Sequence, residues 1–162
     1  MSTDVLDRPA AKAAEPADDA SMGFVTLSVG DQLCGVPVLG VRDILGATTI
    51  TRIPLAPPEI AGSLNLRGRI VTAVDLRRRL QLPPLPPGTP RMSVVAEQGG
   101  ELYALLVDQV SEVMRVSAAA FERNPPTLSP IWTEYSAGIY RLDGRLLVVL
   151  DVARLLALAP EA

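Results

Sequence analysis

Side chains able to move protons, attack a substrate or hold a metal are few in this chain. It has no histidine and a single cysteine, Cys34. That removes the usual general base, the commonest metal ligand and most nucleophilic triads. One cysteine without histidine leaves no zinc-ligand set, and no Gly-rich phosphate loop is present, so neither metal nor cofactor is expected. Any catalysis would rest on carboxylates. Asp75 and Asp151 stand out because they occupy the same place in two similar stretches, "IVTAVDLRRRL" and "LLVVLDVARLL". Each sits where an apolar strand gives way to a short helix, and there a carboxylate accepts orphan helix amides, a cap worth about 1 kcal/mol. The repeat accounts for both residues as caps, so they make poor general acids, and the chain reads as a non-enzyme. Cys34 lies inside an apolar run and is expected to be a buried, inert thiol.

Binding chemistry has better candidates. In "NLRGRIVTAVDL" Arg67 precedes Gly68 at a turn, whereas the second copy, "RLDGRLLVVLDV", carries Asp143-Gly144, an ordinary Asp-Gly hairpin turn. A long cation in place of a turn-former serves something besides the turn: a partner carboxylate, or carbonyls of a neighbouring loop. The run Arg77, Arg78 and Arg79 reads as a solvated helix face. A nucleic-acid surface would need a broad basic patch with stacking aromatics, and aromatics are 4% of the residues. The stripe Val38, Val41, Ile44 and Leu45 reads as core by spacing, or as one wall of a groove for a helical partner. Trp132 and Tyr135 are expected to anchor a covering loop over the core.

The elements that position these residues follow from patterning. With 162 residues and 48% hydrophobic content a packed core is assured. The longest apolar runs, such as "LLVVL", fall far short of the roughly 20 residues of a membrane-spanning helix. Residues 1–20 hold five acids against two bases, equal to the whole net charge of −3, and read as a disordered acidic tail. Alternation in "FVTLSV" marks a strand; "LCGVPV", "TTITRI" and "RIVTAVDL" follow. The connector "LPPLPPGTPR", residues 82–91, is too rich in proline for helix or inner strand. Beyond it the plan begins again with "MSVVAE" and "LYALLVD". An offset of 76 aligns Gly68 with Gly144, Asp75 with Asp151 and Arg78 with Arg154. An offset of 69 aligns Leu33 with Leu102, Val38 with Val107 and Val41 with Val110. Two related units of about five short strands each, with little helix, predict a mainly β fold of two SH3-like five-stranded barrels packed side by side. The first would span residues 23–81 and the second about 92–145, leaving open which barrel takes the strand and helix of 145–157.

"AGSLNLRGRIVTAVDLRRRL", preceded by "VPVLGVRDIL" and followed by "LYALLVDQVSEVMRV" and "GIYRLDGRLLVVLD", resembles the CheW family of bacterial chemotaxis coupling proteins, over roughly residues 23–156. The resemblance implies two barrels in one domain across 21–162. It implies an adaptor that couples the cytoplasmic tips of chemoreceptors to the histidine kinase CheA, in the cytoplasm at membrane receptor arrays, with no nucleic acid and no membrane insertion of its own. A chemosensory pathway with another output, such as surface motility, is the alternative; a nucleic-acid-binding barrel is a remote one. Carried over by position, the receptor-facing groove between barrels would use Val38, Val41 and Asp43, then Gly62, Asn65, Arg67 and Gly68, with Val110 and Val113 from the second unit. The chain departs from the family pattern at Asp43, where glutamate is usual, and at Thr72, where proline is frequent.

Overall fold

In the computed structural model, residues 21–157 are described; the acidic segment 1–20 and the last five residues lie outside them. Among the described residues ten strands run in chain order: β1 Ser21–Val29, β2 Gln32–Pro37, β3 Val41–Leu45, β4 Ile60–Leu66, β5 Arg69–Asp75, β6 Met92–Gln98, β7 Glu101–Val107, β8 Gln109–Ser117, β9 Ser136–Leu142 and β10 Arg145–Leu150. Three short helices join them: α1 Leu76–Arg79, α2 Pro130–Tyr135 and α3 Val152–Leu155. The strands form two five-stranded sheets, ordered β9-β10-β2-β1-β8 (sheet 1) and β3-β6-β7-β5-β4 (sheet 2).

This corrects the division by chain order. Sheet 1 takes the first two strands of the first unit and the last three of the second, while sheet 2 is one continuous stretch, β3 to β7. The units have exchanged strands. The exchange runs through two parallel pairings, β2 with β10 (Leu33↔Leu147) and β5 with β7 (Thr72↔Tyr103). The crossings are short: Val38–Gly40 leads from β2 to β3, and Asp108 alone separates β7 from β8. The open question about 145–157 resolves to sheet 1, and residues 23–37 join it there.

The exchanged plan keeps strict twofold equivalence, because β1, β2, β8, β9 and β10 correspond to β6, β7, β3, β4 and β5. Each sheet is also drawn round on itself by one bridge between the chain leaving one edge strand and the other edge strand. Beyond β3, Thr51 exchanges two hydrogen bonds of 2.8 Å with Ser63 of β4; beyond β8, Glu122 exchanges two of 2.9 Å with Ile139 of β9. A bulge beside each bridge holds a glycine, Gly62 (φ 150°) and Gly138 (φ 155°). A Cβ on Gly62 would meet the Thr51 carbonyl oxygen, and one on Gly138 would come within 2.7 Å of the Glu122 carbonyl oxygen. Glycine is required at both places by this close approach.

Both sheets are covered on two faces, as consecutive apolar residues in "LLVVL" predict. A large core between them takes Val25, Leu27, Cys34 and Val148 from sheet 1 with Val74, Val94 and Leu105 from sheet 2. The opposite faces close on smaller clusters, Phe24, Tyr140, Leu147 and Val149 in sheet 1, and Leu64, Val71, Ala104 and Leu106 in sheet 2. Cys34 is fully buried, and burial first, then the nearby Asp108 charge, pushes its thiol far above the usual range. It is inert, as expected.

Two local readings differ from expectation. "TTITRI" is not a strand: only Thr51 pairs, and the strand lies earlier, in β3. The stretch before β9 contains α2, with Pro130 in its first turn and Trp132 and Tyr135 buried on the shared core. The anchoring role holds, on a helix rather than a loop. Asp75 and Asp151 cap α1 and α3 as predicted: Asp75 accepts from the Arg77 and Arg78 amides (3.0 and 3.3 Å), Asp151 from the Arg154 amide (3.1 Å).

Candidate functional site

The β4–β5 hairpin pairs Leu66 with Arg69 across a two-residue turn, Arg67-Gly68. Both turn residues have positive φ, 52° and 86°, the pattern of a type I′ turn. Asn65 supports it, its Oδ1 accepting from the Gly68 amide at 2.9 Å. A left-handed conformation disfavours a side chain with a Cβ by about 1–2 kcal/mol. In the equivalent turn of sheet 1 only Gly144 has positive φ. Arg67 is thus held where glycine or asparagine would be easier.

The Arg67 side chain is 76% exposed and reaches Asp43 on β3, with Nη1 2.9 Å from Oδ2. Since β3 and β4 are the two edges of sheet 2, the ion pair ties its edges at the end opposite the Thr51–Ser63 bridge. The Ile44 amide donates to Asp43 Oδ1 at 2.8 Å. That bond first, then Arg67 by hydrogen bond and charge, outweighs partial burial and holds the Asp43 carboxyl below the usual carboxylate range. Beside it Arg42 pairs with Glu97 (3.0 Å). Leu66, Arg69 and Leu102 complete a shallow groove of about 200 Å³. It has an apolar floor, two ion pairs and an exposed guanidinium, and its lining holds no serine, threonine, cysteine, histidine or lysine. Its chemistry is recognition: a partner carboxylate can share Arg67 while an apolar side chain covers the leucines.

The nine residues expected to form the partner surface divide into groups. Asp43, Asn65, Arg67 and Gly68 come together in and around this groove. Val38, Val41 and Val110 are half-buried against the core between the sheets, where the Val110 amide faces Met92 Sδ at 3.3 Å. Val38 also lines a separate shallow pocket with Leu39 and Arg115. Val113, on edge strand β8, is 54% exposed. Gly62 is buried and belongs to the closure bridge.

The arginine run is not a solvated face. Arg77 and Arg79 side chains are only 15% and 12% exposed; Arg78 alone is turned outward. Arg77 forks onto Asp108 (Nε to Oδ1 2.9 Å, Nη2 to Oδ2 2.7 Å), and Asp108 also accepts from the Gly30 amide at 2.8 Å. One carboxylate at a crossing between sheets thus binds α1 to the β1–β2 turn. The Arg77 bond first, against burial, holds the Asp108 carboxyl below its usual range. Arg79 donates to the carbonyls of Arg154, Leu155 and Ala157 (2.9–3.2 Å) and lies 5.0 Å from the centre of the Tyr135 ring. Sequence did hold a signal for these two: at an offset of 76 their places are taken by Ala153 and Leu155. Among the described residues, no group of three or more His, Cys, Asp or Glu could hold a metal, and no helix is long and apolar enough to cross a membrane.

The CheW-like domain family matches residues 23–159, nearly everything described. The chain belongs to this family. It is similar to the chemotaxis protein CheW of Klebsiella aerogenes, 31% identical over 83% of this chain and 81% of the relative. A probable chemotaxis protein CheW of Rhizobium etli is 30% identical over 82% of this chain and 85% of the relative. Among solved structures, the scaffolding protein TtCheW of Thermoanaerobacter tengcongensis superimposes with a TM-score of 0.78 at 26% identity, covering 86% of this chain and 95% of the other. As a member of the CheW family the protein is a chemotaxis adaptor, a scaffold rather than an enzyme.

Proposed function

We propose that this protein couples the cytoplasmic tips of chemoreceptors to the regulatory domain of the histidine kinase CheA, in the cytoplasm at receptor arrays. The observation that carries the reading is a family match running through both sheets, 23–159. It fits a molecule that holds an exposed cation, Arg67, in a left-handed turn. On this reading the receptor-facing surface comprises Asp43, Asn65, Arg67 and Gly68 at the sheet 2 turn, with Val38, Val41, Val110 and Val113 along the seam between sheets. Gly62 contributes through the fold, by holding β4 against Thr51. The work is geometric: two partners are held at a fixed relative orientation and no bond is made or broken.

The test is a pull-down and titration calorimetry with a purified kinase regulatory domain and a soluble receptor-tip fragment, for wild type and Arg67→Ala. The wild type is expected to bind both. The variant keeps a Cβ in the left-handed turn and loses only the Asp43 ion pair, so it is expected to unfold at an unchanged or slightly lower temperature while losing receptor affinity tenfold or more. A wild type that binds neither, or a folded variant that binds the receptor fragment with full affinity, would sink the proposal.

A further inference from the structure

The connector of residues 82–91 joins α1 to β6, and joining them does not account for its regularity. In "LPPLPPGTP" two leucines stand three apart, and each is followed by a proline pair, Pro83-Pro84 and Pro86-Pro87. Proline fixes its own φ near about −65° and pushes the residue before it into extended backbone. The repeat therefore favours polyproline II, a helix of about three residues per turn. Residues 82–86 carry no helix, strand or turn, and burial follows the same period: Leu82 and Leu85 are half-buried, while all four prolines are exposed.

The segment is pinned at both ends. Leu82 packs on the core between the sheets and donates its amide to the Arg77 carbonyl at 2.7 Å, and Arg77 Nη1 donates to the Pro83 carbonyl at 2.6 Å. At the far end the Thr89 amide and hydroxyl both donate to the Pro86 carbonyl, at 3.1 and 2.6 Å. With Gly88 at φ 82° this is a type II turn, whose second residue, Pro87, keeps extended backbone, so the polyproline run continues through it. Between and beyond these anchors the carbonyls of Pro84, Leu85 and Pro87 meet no donor among the described residues. The molecule's other proline pairs differ. Pro57-Pro58 and Pro125-Pro126 each open a turn at once, closed by the Ile60 amide (2.9 Å) and the Leu128 amide (3.0 Å), and neither turn has a residue of positive φ.

A polyproline helix with apolar ridges and free carbonyls is the ligand of grooves lined by aromatic rings. Here Pro83-Pro84 and Pro86-Pro87 make two such ridges on the outward side, with half-buried Leu85 between them on the third side. We propose that residues 83–87 are a docking segment for a partner domain with an aromatic-lined groove. Each proline pair fills one slot between rings, and an indole N–H or phenol O–H of the groove donates to the Pro84 or Leu85 carbonyl. Because the segment is already anchored, little ordering is needed on binding. The site lies in the connector, apart from the Asp43–Arg67 groove, and does not depend on the receptor and kinase reading.

The probes are a purified SH3 domain and a purified WW domain, both of which carry such grooves. Each is titrated into the isotope-labelled full chain and followed by amide chemical shifts. Saturable shifts centred on Leu85, Gly88 and Thr89 are expected with at least one of them. Replacing both outward prolines, Pro84→Ala with Pro87→Ala, is expected to weaken binding about tenfold or more, and Pro57→Ala with Pro58→Ala to leave it unchanged. Leu85→Ala, on the inward side, is expected to change affinity less than about threefold. Binding of neither probe, shifts centred elsewhere on the chain, full affinity in the folded Pro84 and Pro87 double variant, or a Leu85→Ala loss as large as the proline loss would overturn the proposal.

Discussion

Sheets 1 and 2 share strand order, bulge positions and closure bridges, yet each has been adapted at a different end. At the hairpin turn sheet 1 keeps an ordinary Asp143-Gly144, whereas sheet 2 strains Arg67 into a left-handed conformation and ties it to Asp43. At the opposite end, beside the closure bridges, sheet 1 is plugged by the rings of Phe24, Phe121 and Tyr140, whereas sheet 2 stays open around Ile50 and Ser93. Features that recur maintain the fold. Features that do not recur serve either contact between the sheets or contact with something else, and the structure is needed to tell these apart.

The largest test of that division concerns the recurring glycines. Gly62→Ala puts a methyl group into the Thr51 carbonyl, which is backbone and cannot step aside; a loss of about 3 kcal/mol or more in urea unfolding is expected. At Gly138 part of the obstruction is the Phe121 ring, 44% exposed and able to swing away, so Gly138→Ala should lose less. A Gly138→Ala loss equal to or larger than that of Gly62→Ala would remove this difference between the two bulges.

Next come the arginines. Arg77→Ala leaves Asp108 with its Gly30 bond alone in a partly buried place and should destabilise by about 2–3 kcal/mol. Arg154 pairs with Asp151 at 3.8 Å and is 61% exposed; apart from its bond to the Glu134 carbonyl it has little to lose, and Arg154→Ala should fall within about 0.5–1 kcal/mol. Thermal unfolding of the two variants side by side decides it.

Acid should expose the same asymmetry. Burial alone would raise the Asp75 carboxyl, but the Arg91 bond and charge with two helix amides outweigh it, and its folded pKa lies below the ordinary value; so does that of Asp108. A depressed folded pKa gives stability that is present above the unfolded value of about 3.9 and lost as pH falls through the folded one. Stability should therefore hold down to about pH 4 and drop below it. Asp108→Asn, less stable at neutral pH, should show a shallower drop in urea midpoint between pH 4 and 2.

The smallest effect on stability sharpens the comparison of the turns. Arg67→Gly relieves the left-handed strain at the loss of an exposed ion pair, so the change in unfolding free energy should lie between zero and about +1 kcal/mol. Asp143→Gly has no such strain to relieve and should not stabilise.

Much of this was legible in sequence. The repeat, the two capping aspartates, the doubly covered strands, the buried thiol and the anchoring Trp132 were all read from spacing and composition, because each leaves its mark in the residue types of a short stretch. The exchange of strands was not, since offsets of 69 and 76 record likeness between units and carry no information on which unit a strand hydrogen-bonds with. "TTITRI" has the β-branched residues of a strand, but with Pro54 following it meets β4 at Thr51 alone. Arg77 and Arg79 were misread for a related reason: their acceptors, Asp108 and the carbonyls of 154–157, lie about 30 and 75 residues away. Asp43 and Arg67 were each singled out through the family resemblance without being paired, and their ion pair, like the groove's Arg42 on β3, Glu97 on β6 and Leu102 on β7, came only with the structure.

The interleaved strands also impose an order of assembly during synthesis. Sheet 2 has all its strands once residue 107 has left the ribosome. In sheet 1 the outer edge of β2 stays open until β10 arrives, since Leu33 to Gly35 pair with Leu147 to Val149. The first two strands to emerge must therefore wait through more than a hundred residues of translation with an unpaired edge. Contacts so distant in sequence place completion of sheet 1 last, and a ribosome stalled before residue 145 would leave the strands of sheet 2 complete beside an open, association-prone edge.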